Sequence, residues 1–401
     1  MRPLRKLIQL DEALALCLSR VRPISRTEGV PIEEAAGRVC AQDVVSSVSV
    51  PPFSRAAMDG YAVRAEDTYG AGRLNPVSLR VSEVVYAGVL PKTRVRKGVC
   101  AEIATGAPLP CGADAVVMVE DTEREGAHVL VYQAVHPGEN VSPEGEDISR
   151  GTRLIAEGEV INPSKVGAIA ATGVRKATVY AKPLVAVVPT GNEIAEPGRR
   201  LRPGQIYDIN SYTLSSIIVS NGGTARRCSI ASDTVRSLGR ALEENLDCDI
   251  VVFSGGSSVG ERDVLLDVLE KRGEVLFHGV AVKPGKPTIF GTVEDTLVFG
   301  MPGYPTSCLS NAYLFLAPVI RRMAHLPEAR DRTVKAKMSK RVVSTTGRAQ
   351  FLPVKLEGGS AQPVFKESGA ITSMAFADGY VMIPSDVDLI EKGEEVTVHL
   401  F

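Results

Sequence analysis

Ser254-Gly255-Gly256-Ser257-Ser258-Val259-Gly260-Glu261-Arg262-Asp263 is the stretch whose reading decides the fold. Asp249-Ile250-Val251-Val252-Phe253 comes just before it. That run is apolar and β-branched. It is too short for a helix and predicts a buried strand of a parallel sheet. Asp263-Val264-Leu265-Leu266-Asp267-Val268-Leu269 follows and predicts a helix. The segment therefore reads strand, glycine-rich turn, helix. Its glycines let backbone N–H groups approach a ligand closely, and the helix start behind them favours an anion. Glu261 and Asp263 are unusual there, because a loop built only to hold phosphate would avoid carboxylates. Acids beside a phosphate site point to a divalent cation bridging the two. A plain turn with solvated acids is the other reading of the same residues.

The flanking chain repeats the pattern. Leu184-Val185-Ala186-Val187-Val188 predicts a buried strand and leads into Pro189-Thr190-Gly191-Asn192-Glu193. Tyr207-Asp208-Ile209-Asn210-Ser211 opens a helix through Ser220, stopped by Asn221-Gly222-Gly223. A strand is expected over 225–230, then a helix capped by Ser232-Asp233 and running to about Leu246. Beyond the central motif, strands are expected over 274–278, 288–290 and 296–299. Lys283-Pro284-Gly285-Lys286-Pro287 lies among them, and Gly300-Met301-Pro302-Gly303-Tyr304-Pro305-Thr306-Ser307 leads into a helix ending near Met323. Alternating β and α argue a doubly wound sheet with ligands at the carboxyl ends of its strands. All four loops follow strands, so they should gather on that edge.

The remainder is different in kind. Residues 10–22 alternate acidic and apolar positions at helical spacing, residues 44–50 read as a strand, and Asp59-Gly60 reads as a hairpin turn. Strand patterns at 79–86, 114–119 and 128–132 make a small β-rich domain. It carries Ala104-Thr105-Gly106-Ala107-Pro108 and ends in the acidic loop Gly145-Glu146-Asp147. Residues 164–173 look helical. After Pro327, alternating strands at 334–338, 349–356, 380–384 and 396–400 predict a compact barrel or sandwich.

Composition bounds the rest. A chain of 401 residues with 44% hydrophobic and 23% charged residues holds several cores. A net charge of -1 gives no footprint for nucleic acid. Its longest apolar runs fall well short of the ~20 residues of a membrane span. The seven cysteines are scattered, with no CxxC or Cys/His cluster. They read as reduced thiols of a cytoplasmic protein, without structural zinc.

Taken in order, residues 52–63, 104–110, 145–147, 189–193, 254–263, 283–287 and 300–307 resemble the MoeA family of molybdopterin molybdenumtransferases. Eukaryotic relatives of that family include a domain of gephyrin. The resemblance covers nearly the whole chain. It implies a multidomain α/β plus β protein in four parts. Residues 1–50 with 147–181 form a linker and dimerisation domain, and 51–146 an inserted β-rich domain. Residues 182–326 form a MogA-like doubly wound α/β domain that binds molybdopterin, and 327–401 a small β-barrel. It also implies a homodimer whose active site lies between the α/β domain of one subunit and the inserted domain of the other. A MogA-like adenylyltransferase and molybdoenzyme apoproteins or their chaperones are the further partners.

The implied reaction takes adenylylated molybdopterin and molybdate, with Mg²⁺, and releases AMP. By resemblance, Ser254, Gly255, Gly256 and Ser258 cradle the pyrophosphate. Glu193, Asp233 and Asp263 are the catalytic acids of this domain; Glu193 and Asp263 also serve as metal ligands. Lys283 and Lys286, three apart around a Pro-Gly turn, suit a dianion. Each contact at about 4 Å and an effective dielectric near 20 gives roughly 4 kcal/mol before desolvation. Arg348, in Gly347-Arg348-Ala349-Gln350-Phe351, and Ser373 join the lysines around the oxyanion, while Pro302 and Pro305 border the substrate. Asp59, Thr105 and Asp147 match catalytic positions of the inserted domain. Two positions depart from the family: Ser257 replaces a small apolar residue, and Tyr304 replaces a common Asn. The second leaves tungstate open as the oxyanion.

Three other readings are weighed against it. A MogA-like adenylyltransferase would need only the α/β domain, so the inserted domain and barrel speak against it. A molybdopterin-binding scaffold without turnover would not need acids and lysines gathered on one edge. A dinucleotide oxidoreductase lacks its GxGxxG turn after a strand.

Overall fold

A strand covered on both faces sends alternate side chains into two different cores. In the computed structural model the strand Ile250–Ser254 is buried at every residue. Ile250 and Val252 enter one apolar cluster, and Val251 and Phe253 enter another. The structure describes residues 7–255, 264–366 and 369–401. Two compact units divide the chain: Gly29–Val179, and the residues up to Glu28 together with Tyr180–Phe401.

The unit Gly29–Val179 holds a six-stranded sheet of β1 (Gly60–Val63), β2 (Val77–Val85), β3 (Val99–Ile103), β4 (Ala115–Met118), β5 (Thr122–Glu125) and β6 (His128–Val131). Their order is β4-β1-β3-β2-β6-β5, and only the β2–β3 pair is parallel. One side packs Tyr61, Val63, Leu79 and Val129; the other packs Ala62, Val85, Ala101 and Val116. A third cluster packs Ile161 and Ile169 of the region around the helix Pro163–Ala171 against Val30 and Val179. Two expectations change here. Asp59-Gly60 is not a hairpin turn: Gly60 opens β1, and a Cβ on it would lie 1.9 Å from the Val117 carbonyl oxygen. The strand expected over 44–50 stops at Val45, because the Ser46 hydroxyl donates to the Val48 carbonyl at 2.6 Å and bends the chain.

In the other unit, β7 (Leu184–Pro189), α1 (Asn210–Ser220), β8 (Thr224–Arg227), α2 (Val235–Glu243), β9 (Ile250–Ser254), α3 (Val264–Arg272), β10 (Glu274–His278), β11 (Ile289–Val293), β12 (Thr296–Met301), α4 (Pro305–Asn311) and α5 (Ala317–Met323) build the α/β domain. The sheet order is β8-β7-β9-β12-β11-β10. The first four strands are parallel, and β11 runs against both of its neighbours. One core takes α1, α5 and the N-terminal helix Leu10–Ser19; the opposite core takes α2 and α3. The sheet is thus doubly wound. Gly222 at φ 88 and the bond from Gly223 N–H to the Ile218 carbonyl end α1 as expected. The cap of α2 is Thr234, whose side chain accepts from Ser237 N–H, and not Ser232-Asp233.

The last strands, β13 (Thr333–Met338), β14 (Ala349–Glu357), β15 (Ser360–Pro363), β16 (Gly379–Ile383) and β17 (Glu395–Leu400), pair around a ring, β14-β15-β13-β17-β16-β14. This closes a five-stranded barrel over Met338, Leu352, Val354, Val381, Ile383 and Val398. Val282–Lys283 adds to the barrel's outside, parallel to β14. Among the described residues, no helix is long and apolar enough to cross a membrane.

Candidate active site at the carboxyl edge of the sheet

Pro189, Ser254 and Met301 stand level in the register of β7, β9 and β12. The three parallel strands therefore stop together, and their following turns pack side by side. Thr190 N–H donates to the Ser254 carbonyl at 3.0 Å, and Gly255 N–H to the Met301 carbonyl at 3.1 Å. Gly255 has φ +105, and a Cβ there would sit 2.6 Å from the Thr190 carbonyl oxygen. Only glycine supplies both the backbone conformation and the space.

A cleft of about 1270 Å³ opens on this edge. Glu193, Asp233, Ser254, Gly255, Lys283, Lys286, Pro302 and Pro305 all line it. The four expected loops thus meet, and a fifth, carrying Asp233 after β8, joins them, as their position after strands requires. Lys283 and Lys286 are half-buried, and among the described residues neither forms an ion pair. Their loop is tied to the barrel, where Lys283 pairs with Gln350.

The acids form the opposing charge. Burial pushes the Asp233 carboxyl above its ordinary value, and the nearby Glu193 charge pushes it further; a hydrogen bond from the Thr190 side chain pulls it back. Glu193 is exposed, with its carboxylate folded over Gly191. Asp233 Oδ1 is buried, and among the described residues it takes no hydrogen bond. Asn210 Oδ1 and Asn311 Oδ1 share that condition. Asn210 lines the cleft, and Asn311 lies directly beneath the lysine loop. A buried oxygen without a partner costs about 1–3 kcal/mol, and two of these three atoms, on Asp233 and Asn210, belong to residues that line the cleft.

Arg348 and Ser373 are outside the lining. Arg348 is half-buried just before β14, and the fully buried Ser373 Oγ accepts from Lys366 N–H at 3.0 Å. In the other unit, Asp59 and Thr105 are hydrogen-bonded to each other, and Asp147 is exposed. Gly256, Ser258 and Asp263 lie outside the described residues. Sequence reasoning passed over Thr190, Asp208 and Asn210, which it read only as turn and helix start. The signal was present: polar residues follow strands at an edge where ligands gather. Asp208 accepts from Ser211 N–H at 3.0 Å, and Asn210 Nδ2 donates to the Gly303 carbonyl at 2.9 Å.

Comparison with known proteins gives matches along the chain. Residues 8–173 match the MoeA N-terminal region (domain I and II), residues 186–322 the "Probable molybdopterin binding domain" family, and residues 335–401 the MoeA C-terminal region (domain IV). A molybdopterin molybdenumtransferase 2 of Mycobacterium tuberculosis is 34% identical over 405 residues, covering 98% of this chain and 99% of the relative. A molybdopterin molybdenumtransferase of Bacillus subtilis is 31% identical, covering 98% and 94%. The crystal structure of a molybdopterin biosynthesis MoeA protein from Pyrococcus horikosii superimposes with a TM-score of 0.87 at 44% identity, covering 98% of this chain and 99% of that one.

Proposed function

The chain belongs to the MoeA family of molybdopterin molybdenumtransferases, and on that premise we propose that it inserts molybdate into adenylylated molybdopterin and releases AMP. The observation that carries this reading is the cleft itself: two half-buried lysines, without an ion pair among the described residues, stand in one cavity with Glu193 and Asp233. Lys283 and Lys286 hold the oxyanion; as its metal forms two bonds to the dithiolene sulfurs, one oxygen leaves as water with the two thiol protons. Ser254 and Gly255 face the phosphoanhydride that is cleaved, water supplying the oxygen that replaces the broken bond. Pro302 and Pro305 border the substrate; Arg348 and Ser373, which lie outside the cleft's lining, join the oxyanion's surroundings only by resemblance. In this reading the protein is a homodimer, and Asp59, Thr105 and Asp147 of a second copy complete the site. The proposed division of the chain is a linker domain (1–50 and 147–181), an inserted domain (51–146), an α/β domain (182–326) and a barrel (327–401).

The residues present fit a Mg²⁺ ion. Glu193 and Asp233 offer oxygen donors only, and Asp233 Oδ1 is a buried acceptor with no partner among the described residues. Those two acids, with Asp263 from the sequence, would hold it. Such an ion would neutralise charge on the phosphates as AMP leaves. Without it, Glu193 and Asp233 orient water near the bond to be cleaved, and the lysines fix the oxyanion.

The test is AMP release from adenylylated molybdopterin with Mg²⁺, titrating molybdate and tungstate in parallel. Release that depends on an oxyanion supports the transferase. Bound nucleotide without release under either oxyanion would favour a binding or scaffold role. Tyr304 is why tungstate is titrated as well: it replaces the family's common Asn by resemblance, and it lines this cleft.

A further inference from the structure

Beneath the lysine loop lies a polar group that no role above uses. The Gly285 carbonyl, between Lys283 and Lys286, accepts two hydrogen bonds. One comes from the Thr288 hydroxyl at 2.9 Å and the other from Asn311 Nδ2 at 2.8 Å. Asn311 Nδ2 also donates to the Thr288 hydroxyl oxygen. Thr288 and Asn311 are both 0% exposed. The next carbonyl along, that of Lys286, accepts from Val280 N–H at 2.9 Å and Thr288 N–H at 3.0 Å. The loop between the two lysines is thus pinned from below at consecutive carbonyls.

The amide orientation of Asn311 is settled by chemistry. Gly285 O is an acceptor only, and the Thr288 oxygen has already given its proton to it, so the NH₂ end must face both. This leaves Asn311 Oδ1 buried without a partner among the described residues. The packing is equally tight: a Cβ on Gly285, whose φ is +108, would lie 2.4 Å from Asn311 Nδ2. A core with no task here would fill this space with apolar side chains and leave no orphan oxygen.

We infer that Thr288 and Asn311 are positioning residues for the oxyanion. They fix the backbone between Lys283 and Lys286 so that the two ammonium groups meet one dianion at a set separation. Neither lines the cleft. Lysine side chains are flexible and carry much rotamer entropy, so a rigid backbone beneath them is what can hold the pair in register. The inference rests on the assignment of the two lysines to the oxyanion.

Thr288→Val keeps the shape and removes the hydroxyl, so it separates positioning from packing. The measurements are the molybdate concentration for half-maximal AMP release, the KM for adenylylated molybdopterin, and molybdate binding to the protein alone by equilibrium dialysis. Thr288→Val is expected to raise the half-maximal molybdate concentration and the dissociation constant together by about tenfold. KM for the nucleotide substrate should stay within about twofold. Thr288→Ser restores the hydroxyl and the wild-type values. Asn311→Asp, if it folds, should resemble Thr288→Val, because a carboxylate would face the Gly285 carbonyl. Thr288→Val with wild-type molybdate affinity would overturn the inference, as would equal losses for both substrates that Ser does not rescue. If the wild type neither binds molybdate nor releases AMP, the functional reading itself falls.

Discussion

Thr105 binds the Asp59 carboxylate twice. Its backbone N–H donates to Oδ1 at 2.6 Å and its hydroxyl donates to the same oxygen at 2.9 Å. The residues are 46 apart in sequence, and each was singled out there from a different motif. The two bonds hold the Asp59 carboxyl below its ordinary value, the backbone bond being the larger cause. A lowered carboxyl contributes stability above its unfolded value, and that contribution is lost as pH falls through the folded one. Thr105→Val removes the hydroxyl bond and spares the backbone bond. The Asp59 carboxyl, followed by NMR, should titrate at higher pH in the variant while staying below an ordinary aspartate. An unmoved titration would show that the hydroxyl has no hold on it.

Asp233 is the opposite case, raised by burial and then by Glu193. The folded protein keeps this proton at a pH where the unfolded chain, with its ordinary value of 3.8, has lost it. Between those two values the folded state binds more protons, so stability falls as pH rises through that window. Asp233→Asn should flatten this part of a urea-denaturation series taken upward from pH 4. Mg²⁺ should raise the melting temperature of the wild type at neutral pH, because it binds the folded state and offsets the repulsion. The Asn variant should lose most of that rise. An equal Mg²⁺ effect in both proteins would remove Asp233 from the metal site.

These two acids show how far the sequence could be read. Buried strands were legible because a β-branched run between turn residues has few other uses, and Ile250–Ser254 fell where expected. Asp59-Gly60 was misread because a turn and a tight strand approach both demand glycine, and only the packed Val117 carbonyl distinguishes them. Local spacing made Ser232-Asp233 a helix cap, while the resemblance made Asp233 a catalytic acid; Thr234 takes the cap, and Asp233 lines the cleft. Asn311 was invisible as a site neighbour, since its partner Gly285 is 26 residues away and meets it only through the fold.

Lys283→Ala and Lys286→Ala should each raise the molybdate concentration for half-maximal AMP release at least about tenfold, a loss of about 1.4 kcal/mol. The double variant should lose the saturable dependence. Folding should be little affected, because neither lysine has an ion pair among the described residues to lose. Molybdate dependence that survives both substitutions would refute the oxyanion assignment.

Gly255→Ala tests the close fit of the turns. The added Cβ would meet the Thr190 carbonyl at 2.6 Å with φ at +105, so the edge must open. A cost of about 2–4 kcal/mol in urea denaturation is expected. Gly358 also has positive φ, +55, but nothing within 4 Å of its would-be Cβ. Gly358→Ala should therefore cost only about 1 kcal/mol, the price of the left-handed backbone alone. Equal losses would mean that space at the edge is not what selects Gly255.

Tyr304→Asn tests one of the two positions at which, by resemblance, the sequence departs from the family pattern. The phenol lies on the cleft wall beside Gly369, where a Cβ would come within 3.6 Å of the ring, and Tyr304 precedes α4 without capping it through its side chain. Asparagine is a good helix cap, so the fold should keep or gain up to about 1 kcal/mol. The active-site effect should be separate: a smaller residue widens the cleft and adds an amide where a ring stood. The ratio of molybdate to tungstate concentrations for half-maximal AMP release should shift by at least about threefold, some 0.6 kcal/mol. A shift in favour of molybdate would identify the tyrosine as the residue that admits tungstate. A shift toward tungstate would identify it as the residue that keeps tungstate out. An unchanged ratio, in a variant that folds and turns over, would remove Tyr304 from oxyanion selection and leave that choice to the lysines and the loop beneath them.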